Sequence, residues 1–225
     1  MEKTKIGEYY HIPYQGLDIS EAERLSRSGA FYKFMEQRRT VRDISDSKVS
    51  REVIEKIIQT ASTSPSGAHK QPWTFCAVSN TELKIKIRAA AEQEEYESYH
   101  GRMSDRWLND LQPMATDWNK PFLENAPWLI VVFKRVYEKD QEEKQNNYYV
   151  NESVGIACGF LISAIHHAGL VTVTHTPSPM NFLTKILDRP ENERPYLLLP
   201  VGLPIENALV PDLKRKNLDE IAKFY

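Results

Sequence analysis

Residues 148–169 read YYVNESVGIACGFLISAIHHAG, a run that is apolar nearly all round and closes on Gly169, a residue suited to the left-handed turn that ends many helices. The pattern predicts a helix packed inside the protein rather than lying on its surface. Asn151, Glu152, His166 and His167 within the run argue against a membrane span. Upstream, residues 127–135 read PWLIVVFKR, a continuous apolar stretch of the kind found in a strand covered on both faces. Such a strand calls for helices on either side. The two stretches together predict a layered α+β domain of α/β type, with a central sheet flanked by helices.

The neighbouring segments extend the pattern. Ser50 is placed to cap a helix over residues 51–61, where Val53, Ile54, Ile57, Ile58 and Ala61 make an apolar stripe and Val49 can staple against Ile54. Ser20 opens another helix, in which Leu25, Phe31, Phe34 and Met35 recur at approximate helical spacing and Glu21 and Glu23 sit near the positive end of the dipole. Residues 73–79, WTFCAVS, are β-branched and aromatic enough for a strand. Thr81 is the expected cap of a helix over residues 82–103 that turns densely acidic halfway along. LVTVTHTP (170–177) and YLLLPVG (196–202) supply two more strands, with a short helix over residues 180–188 between them.

The 225 residues are 41% hydrophobic and 27% charged, enough to bury one sizeable core, so a single domain over residues 1–225 is expected. A formal net charge of −2 argues against nucleic acid or an anionic membrane as partner, because both ask for a basic surplus. Cys76 and Cys158 lie far apart in apolar surroundings, which predicts free buried thiols. The opening MEKTKIGEYY carries no apolar signal core, and with the thiols this gives the expectation of a cytoplasmic protein. His166 and His167 are adjacent and point to different helix faces, so no metal site is expected there.

Two short motifs carry the chemistry. Arg38, Arg39 and Arg42 stand within five residues, and planar guanidinium forks suit a phosphate. Cations at a helix C-terminus, opposite its dipole, would read the same way. Residues 64–69, Ser-Pro-Ser-Gly-Ala-His, form a loop before a strand, where Gly67 lets backbone approach a planar ligand and Ser66 can donate or accept at its edge. The phosphate-binding glycine fingerprints are missing, both the dinucleotide one and the P-loop one. A nucleotide-like cofactor would need another device.

In their order along the chain, the RRTVR motif (38–42), the PSGAH loop (65–69), the acidic helix with its tyrosines, THTP (174–177) and VPDLKRK (210–216) resemble the nitroreductase superfamily and, within it, the iodotyrosine deiodinase family. The resemblance runs from about Phe31 to Ala222. It implies an FMN-binding fold and a homodimer whose C-terminal extension, about residues 205–225, packs on the partner. Residues 1–20 would form an N-terminal extension. The membrane anchor of vertebrate members has no counterpart at the start of this sequence, from which a free cytosolic form is expected. The implied cofactor contacts are Arg38, Arg39, Thr40, Arg42 and Arg215 for the phosphate, with Ser66, Gly67, Thr174, His175 and Thr176 along the flavin. Thr176 is expected at flavin N(5), where a hydrogen bond influences whether electrons leave singly. Thr40 stands where the family more often has serine, and His175 where it more often has threonine.

The resemblance also implies the substrate. Glu95, Tyr99 and Lys120 match the positions that hold a zwitterionic amino acid, and Glu95 and Tyr99 are four residues apart on one helix face. Without the family pattern, Glu95 reads as one more solvated charge. The segment from about 92 to 120 would act as a lid, and the Ala68 N–H would meet the phenolate of a halotyrosine. The implied activity is reductive dehalogenation, with electrons from an external reductant or an NAD(P)H-dependent reductase. Two other readings remain open: a broad NAD(P)H-dependent nitroreductase or quinone reductase, which would not need Glu95, Tyr99 and Lys120 together, and a flavoprotein that binds without turnover.

Overall fold

In the computed structural model, which describes residues 3–140 and 143–225, residues up to Arg38 form one unit and Arg39–Tyr225 a second. In the first, Thr4–Ile6 (β1) and Tyr9–His11 (β2) pair antiparallel with Thr4 opposite His11. Gly7 turns between them at φ 61°, a geometry that a tight hairpin asks of glycine. Ser20 then caps α1 (Glu21–Glu36), its Oγ accepting the Glu23 N–H at 3.2 Å, as its position in the sequence predicts. None of the described residues of this unit is buried, so the apolar residues of α1 have no core within it.

The second unit is built on a four-stranded sheet. Ser50 caps α2 (Arg51–Ser62), accepting from the Val53 N–H, and Ile54, Ile57 and Ala61 are buried. Strand β3 (Trp73–Val78) follows, then α3 (Thr81–Glu97). The cap of α3 is Asn80, whose side chain accepts the Leu83 N–H at 2.9 Å, and not Thr81. A short carboxamide one residue earlier reaches the orphan N–H better than a hydroxyl already inside the helix. After α4 (Asp105–Leu111) and α5 (Phe122–Asn125) come β4 (Trp128–Arg135), the antiparallel ribbon of β5 (Tyr137–Asp140) with β6 (Glu143–Asn146), α6 (Val150–His167), β7 (Val171–Thr172), α7 (Asn181–Ile186), β8 (Glu193–Gly202) and α8 (Leu218–Ile221).

The sheet order is β3-β4-β8-β7, with every neighbouring pair antiparallel. Strand β4 is buried on both faces, as expected, and its residues alternate between two cores. Ile130 and Val132 pack with Ile54 and Ile57 of α2 and with Val154, Ala157 and Leu161 of α6. Leu129, Val131 and Phe133 pack with Ile87 and Ala91 of α3, with Phe122 and Leu123 of α5, and with Leu183 of α7. Pro195 of β8 lies opposite the register shift between Val132 and Phe133, a place where a missing N–H does least harm. Gly202 ends β8 against Ile44 and Pro127; a Cβ there would stand 2.7 Å from a carbon of each.

Helix α6 is not buried all round. Val154, Ala157, Cys158, Leu161 and Ile165 face the core, while Ile156 and Phe160 are exposed. Gly169 ends it at φ 74°, as the sequence predicts.

Candidate active site

The site forms where β7 gives way to the segment 173–178. Val41 donates its N–H to the Thr172 carbonyl at 3.1 Å, and Thr40 bridges Thr172 in parallel. Two residues on, Arg42 reaches a cavity of about 280 Å³. The opposite strand edge is tied to β8 by His175, whose N–H and carbonyl pair with Leu198 at 2.9 and 3.1 Å. This pairing lays Thr174, His175 and Thr176 along one wall of the cavity, with Phe122 beside them.

The other wall comes from the C-terminal end of α3 and the chain beyond it as far as Lys120. Glu95, Tyr99 and Lys120 all line the cavity, so the three residues implied as a zwitterion site do gather there. Lys120 Nζ lies 3.4 Å from the Glu95 carboxylate, donates to the Asp117 carbonyl and sits 5.4 Å from the Tyr99 ring centroid. Tyr99 Oη donates to the Thr116 carbonyl at 3.2 Å. Burial pushes the Tyr99 phenol up and the Lys120 ammonium down, the latter in spite of Glu95. Burial thus disfavours the charged form of each group, and the Glu95 carboxylate beside Lys120 works the other way, favouring the ammonium.

His175 is buried, and its Nε2 has no hydrogen-bond partner among the described residues. Desolvation, reinforced by the positive charges of Lys120 and Arg42, holds its imidazole down at about 3. The ring is neutral at physiological pH, so it can donate from one nitrogen and accept at the other. Arg42 forms no salt bridge among the described residues, leaving its positive field directed at whatever enters the cavity.

The segment from about 92 to 120 contains features that the sequence alone did not single out. Residues Ser98–Arg102 form a π-helical turn, a form often found at functional sites. It carries Arg102, which donates to Glu94 at 2.7 Å, pairs with Glu97 and reaches the Ser178 carbonyl at 2.7 Å. Met103, Trp107 and Leu111 add an apolar end to the cavity. The acidic density of residues 92–97 was the available signal, since so many carboxylates need cations nearby.

The remaining candidates lie elsewhere. Arg39 is partly buried and donates to the Pro211 carbonyl. Arg38 ends the first unit, and Arg215 is exposed in the segment before α8. Ser66, Gly67 and Ala68 do not line this cavity. Their loop is nonetheless fixed: Gly67 N–H donates to Ser153 Oγ at 3.3 Å, and Ser66 Oγ accepts the Gln71 N–H at 2.9 Å. A Cβ on Gly67 would stand 3.0 Å from the Tyr149 ring. Ala68 and His69 take φ 48° and 55°. The N–H groups of Gly67, His69, Lys70 and Gln71 are all used within the fold. That of exposed Ala68 has no acceptor among the described residues, and positive-φ turns of this kind present N–H groups to anions.

Cys76 and Cys158 are both free, Cys158 buried and Cys76 partly so; burial pushes the Cys158 thiol up to about 12. It is inert core. No group of metal-ligating side chains occurs among the described residues, and none of their helices is long and apolar enough to cross a membrane.

A family model described as Nitroreductase family matches residues 35–203. The chain is 62% identical over 215 residues to the iodotyrosine deiodinase of Haliscomenobacter hydrossis, covering 95% of this chain and 97% of that one. It is 47% identical over 213 residues to iodotyrosine deiodinase 1 of Homo sapiens, covering 94% and 74%. Among solved structures, that of an oxidized iodotyrosine deiodinase bound to FMN and 3-iodo-L-tyrosine superposes with a TM-score of 0.74 at 29% identity, covering 86% of this chain and 100% of that one.

Proposed function

The chain belongs to the nitroreductase family, and from that premise we propose that it is an FMN-dependent dehalogenase that converts halotyrosines, iodotyrosine among them, to tyrosine and halide. The observation that carries this reading is the convergence of Glu95, Tyr99 and Lys120 on the same cavity as Arg42 and Thr174–Thr176. A general reductase of nitroarenes or quinones has no use for a buried acid and base facing the ligand together. The similarity to named deiodinases across nearly the whole chain supports it.

The residues present fit FMN. His175 Nε2, with no hydrogen-bond partner among the described residues, Arg42 and the threonine hydroxyls on either side of His175 offer a cation and several hydrogen-bonding atoms along one wall. Arg42, Arg39, Arg38 and Arg215 would hold the phosphate, and Thr176 would serve flavin N(5). FMN supplies, once bound and reduced, the electron pair that allows a carbon–halogen bond to be replaced by carbon–hydrogen. The chain's own part is recognition and exclusion. Glu95 accepts from the substrate ammonium and Lys120 meets its carboxylate, which fixes the amino acid end. Trp107 and Leu111 of the lid keep water from the ring. The Ala68 N–H stabilises a phenolate, which favours halotyrosines over tyrosine because the halogen makes the phenol more acidic.

Because Ser66–Ala68 do not line the cavity of their own chain, we assign them to the cavity of a second copy. The exposed Ile156 and Phe160 of α6 and the exposed apolar residues of α1 and the C-terminal segment supply apolar surface for such a homodimer. The free thiols suit a reducing cytoplasm, where an external reductant or NAD(P)H-dependent reductase would recharge the flavin.

The test is anaerobic. Protein whose FMN has been chemically reduced is mixed with 3-iodotyrosine, and tyrosine and iodide are assayed, with Glu95→Gln as control. Stoichiometric tyrosine that Glu95→Gln suppresses is expected. Flavin that stays reduced with iodotyrosine but oxidises readily with a nitroarene would overturn the dehalogenase in favour of a general reductase.

A further inference from the structure

Four side chains of α3, Lys84, Arg88, Glu92 and Glu95, lie three or four residues apart and therefore on one helical face. All four reach the same short segment, residues 119–126. Lys84 Nζ donates to the Glu124 and Ala126 carbonyls, each at 2.8 Å, closing the C-terminal end of α5. Arg88 donates to the Glu124 carboxylate at 2.9 Å and to the Asn119 side chain at 3.1 Å. Glu92 Oε1 accepts from Arg88 Nε and from the backbone N–H of Lys120, both at 2.8 Å. Glu95 completes the row by pairing with Lys120 Nζ. Of the four, only Glu95 lines the cavity.

Resting on the halotyrosine reading above, we propose that Glu92, oriented by Arg88, is a positioning residue that sets the distance between the Lys120 ammonium and the Glu95 carboxylate. Lys120 and Glu95 could recognise a zwitterion only if their charges are held at one spacing. A lysine stem has four rotatable bonds and its head is a point charge with no preferred direction, so side-chain geometry alone does not fix that spacing. Anchoring the Lys120 main chain removes much of the freedom. An ionised acceptor of a backbone N–H makes a strong bond for this purpose, and with 18% of its side chain exposed, Glu92 is only weakly screened. Its own carboxylate is in turn held by the Arg88 Nε. The row thus fastens the Lys120 end of residues 92–120 to α3.

The consequence is specific to the amino acid end of the substrate. The experiment uses the oxidised holoenzyme and follows flavin fluorescence on titration with 3-iodotyrosine and with 2-iodophenol, which keeps the halogenated ring but has neither ammonium nor carboxylate. For Glu92→Ala, Kd for 3-iodotyrosine is expected to rise about tenfold or more while that for 2-iodophenol stays within about twofold. Glu92→Gln keeps an acceptor for the Lys120 N–H and is expected to recover most of the loss; Arg88→Met should fall between. Equal weakening of both ligands, or an unchanged ratio of the two affinities, overturns the inference. If Glu92→Ala does not fold, the same ratio in Arg88→Met decides it. A wild-type protein that shows no preference for 3-iodotyrosine overturns the halotyrosine reading and this inference with it, whereas a wild-type preference kept in full by Glu92→Ala and Arg88→Met overturns the inference alone.

Discussion

The Lys120 ammonium and the Glu95 carboxylate lie 3.4 Å apart, with their side chains only 4% and 12% exposed. Each is the other's compensation: removing one strands a charge in a dry site, whereas removing both leaves none. Glu95→Gln and Lys120→Met should each lower stability by about 2–4 kcal/mol, and the double substitution should cost clearly less than their sum. Urea unfolding of the four proteins measures the coupling. Additive losses would show the two residues to be independent.

His175 gives a signature in pH. Its imidazole sits at about 3 in the fold against an ordinary 6.5, so the unfolded chain takes up this proton first as the solution is acidified. The residue's contribution to stability is complete above pH 6.5 and is lost as pH falls from 6.5 towards 3, with a slope approaching about 1.4 kcal/mol per pH unit. His175→Thr should remove that component. Melting temperatures between pH 7.5 and 4 check it, and an unchanged acid sensitivity in the variant would mean that the ring is not the group responsible.

Arg42 should register in two places at once. Its charge is one of the causes that depress His175, so Arg42→Ala should raise the imidazole titration seen by NMR. If it also meets the FMN phosphate, the same substitution should weaken FMN binding by about 10- to 100-fold, the range for one charge-assisted contact. A raised imidazole titration with FMN affinity intact would remove Arg42 from the phosphate site.

Gly202→Ala tests the packing at the end of β8. The added methyl would meet Ile44 Cγ2 and Pro127 Cδ at 2.7 Å, and neither a buried branched side chain nor a proline ring yields easily. A loss of about 1–3 kcal/mol in urea unfolding is expected. Wild-type stability would mean that the Ile44 segment moves aside freely.

Much of this was legible in the sequence. Ser20 and Ser50 announced their helices because a capping hydroxyl before an amphipathic run has few other uses. Residues 128–133 announced a doubly covered strand because nothing in them can face water. Strand direction was not legible: short apolar runs look alike in parallel and antiparallel sheets, and here the neighbouring strands of the four-stranded sheet run antiparallel. The one-sided burial of α6 was hidden because Ile156 and Phe160 are as apolar as its core face. The β5–β6 ribbon escaped notice since exposed polar strands such as Glu143–Asn146 lack an alternating pattern. Within the site, Glu95, Tyr99 and Lys120 were found through a family pattern, and geometry alone then showed that they meet. Arg102 was missed because its partners, Glu94, Glu97 and the Ser178 carbonyl, come together only through the π-helical turn and the fold of residues 173–178.

Strand β4 sends Ile130 and Val132 to one helix layer and Leu129, Val131 and Phe133 to the other. Glu95 rides on α3 in one of these layers, while the Ser66–Ala68 loop is moored through Ser153 to α6 in the other. Neither layer can come apart without stripping one face of the strand that the other still needs. The second unit should therefore absorb heat in a single cooperative transition, and the α3 residues at the cavity and the Ser66–Ala68 loop should lose their structure together, not one after the other.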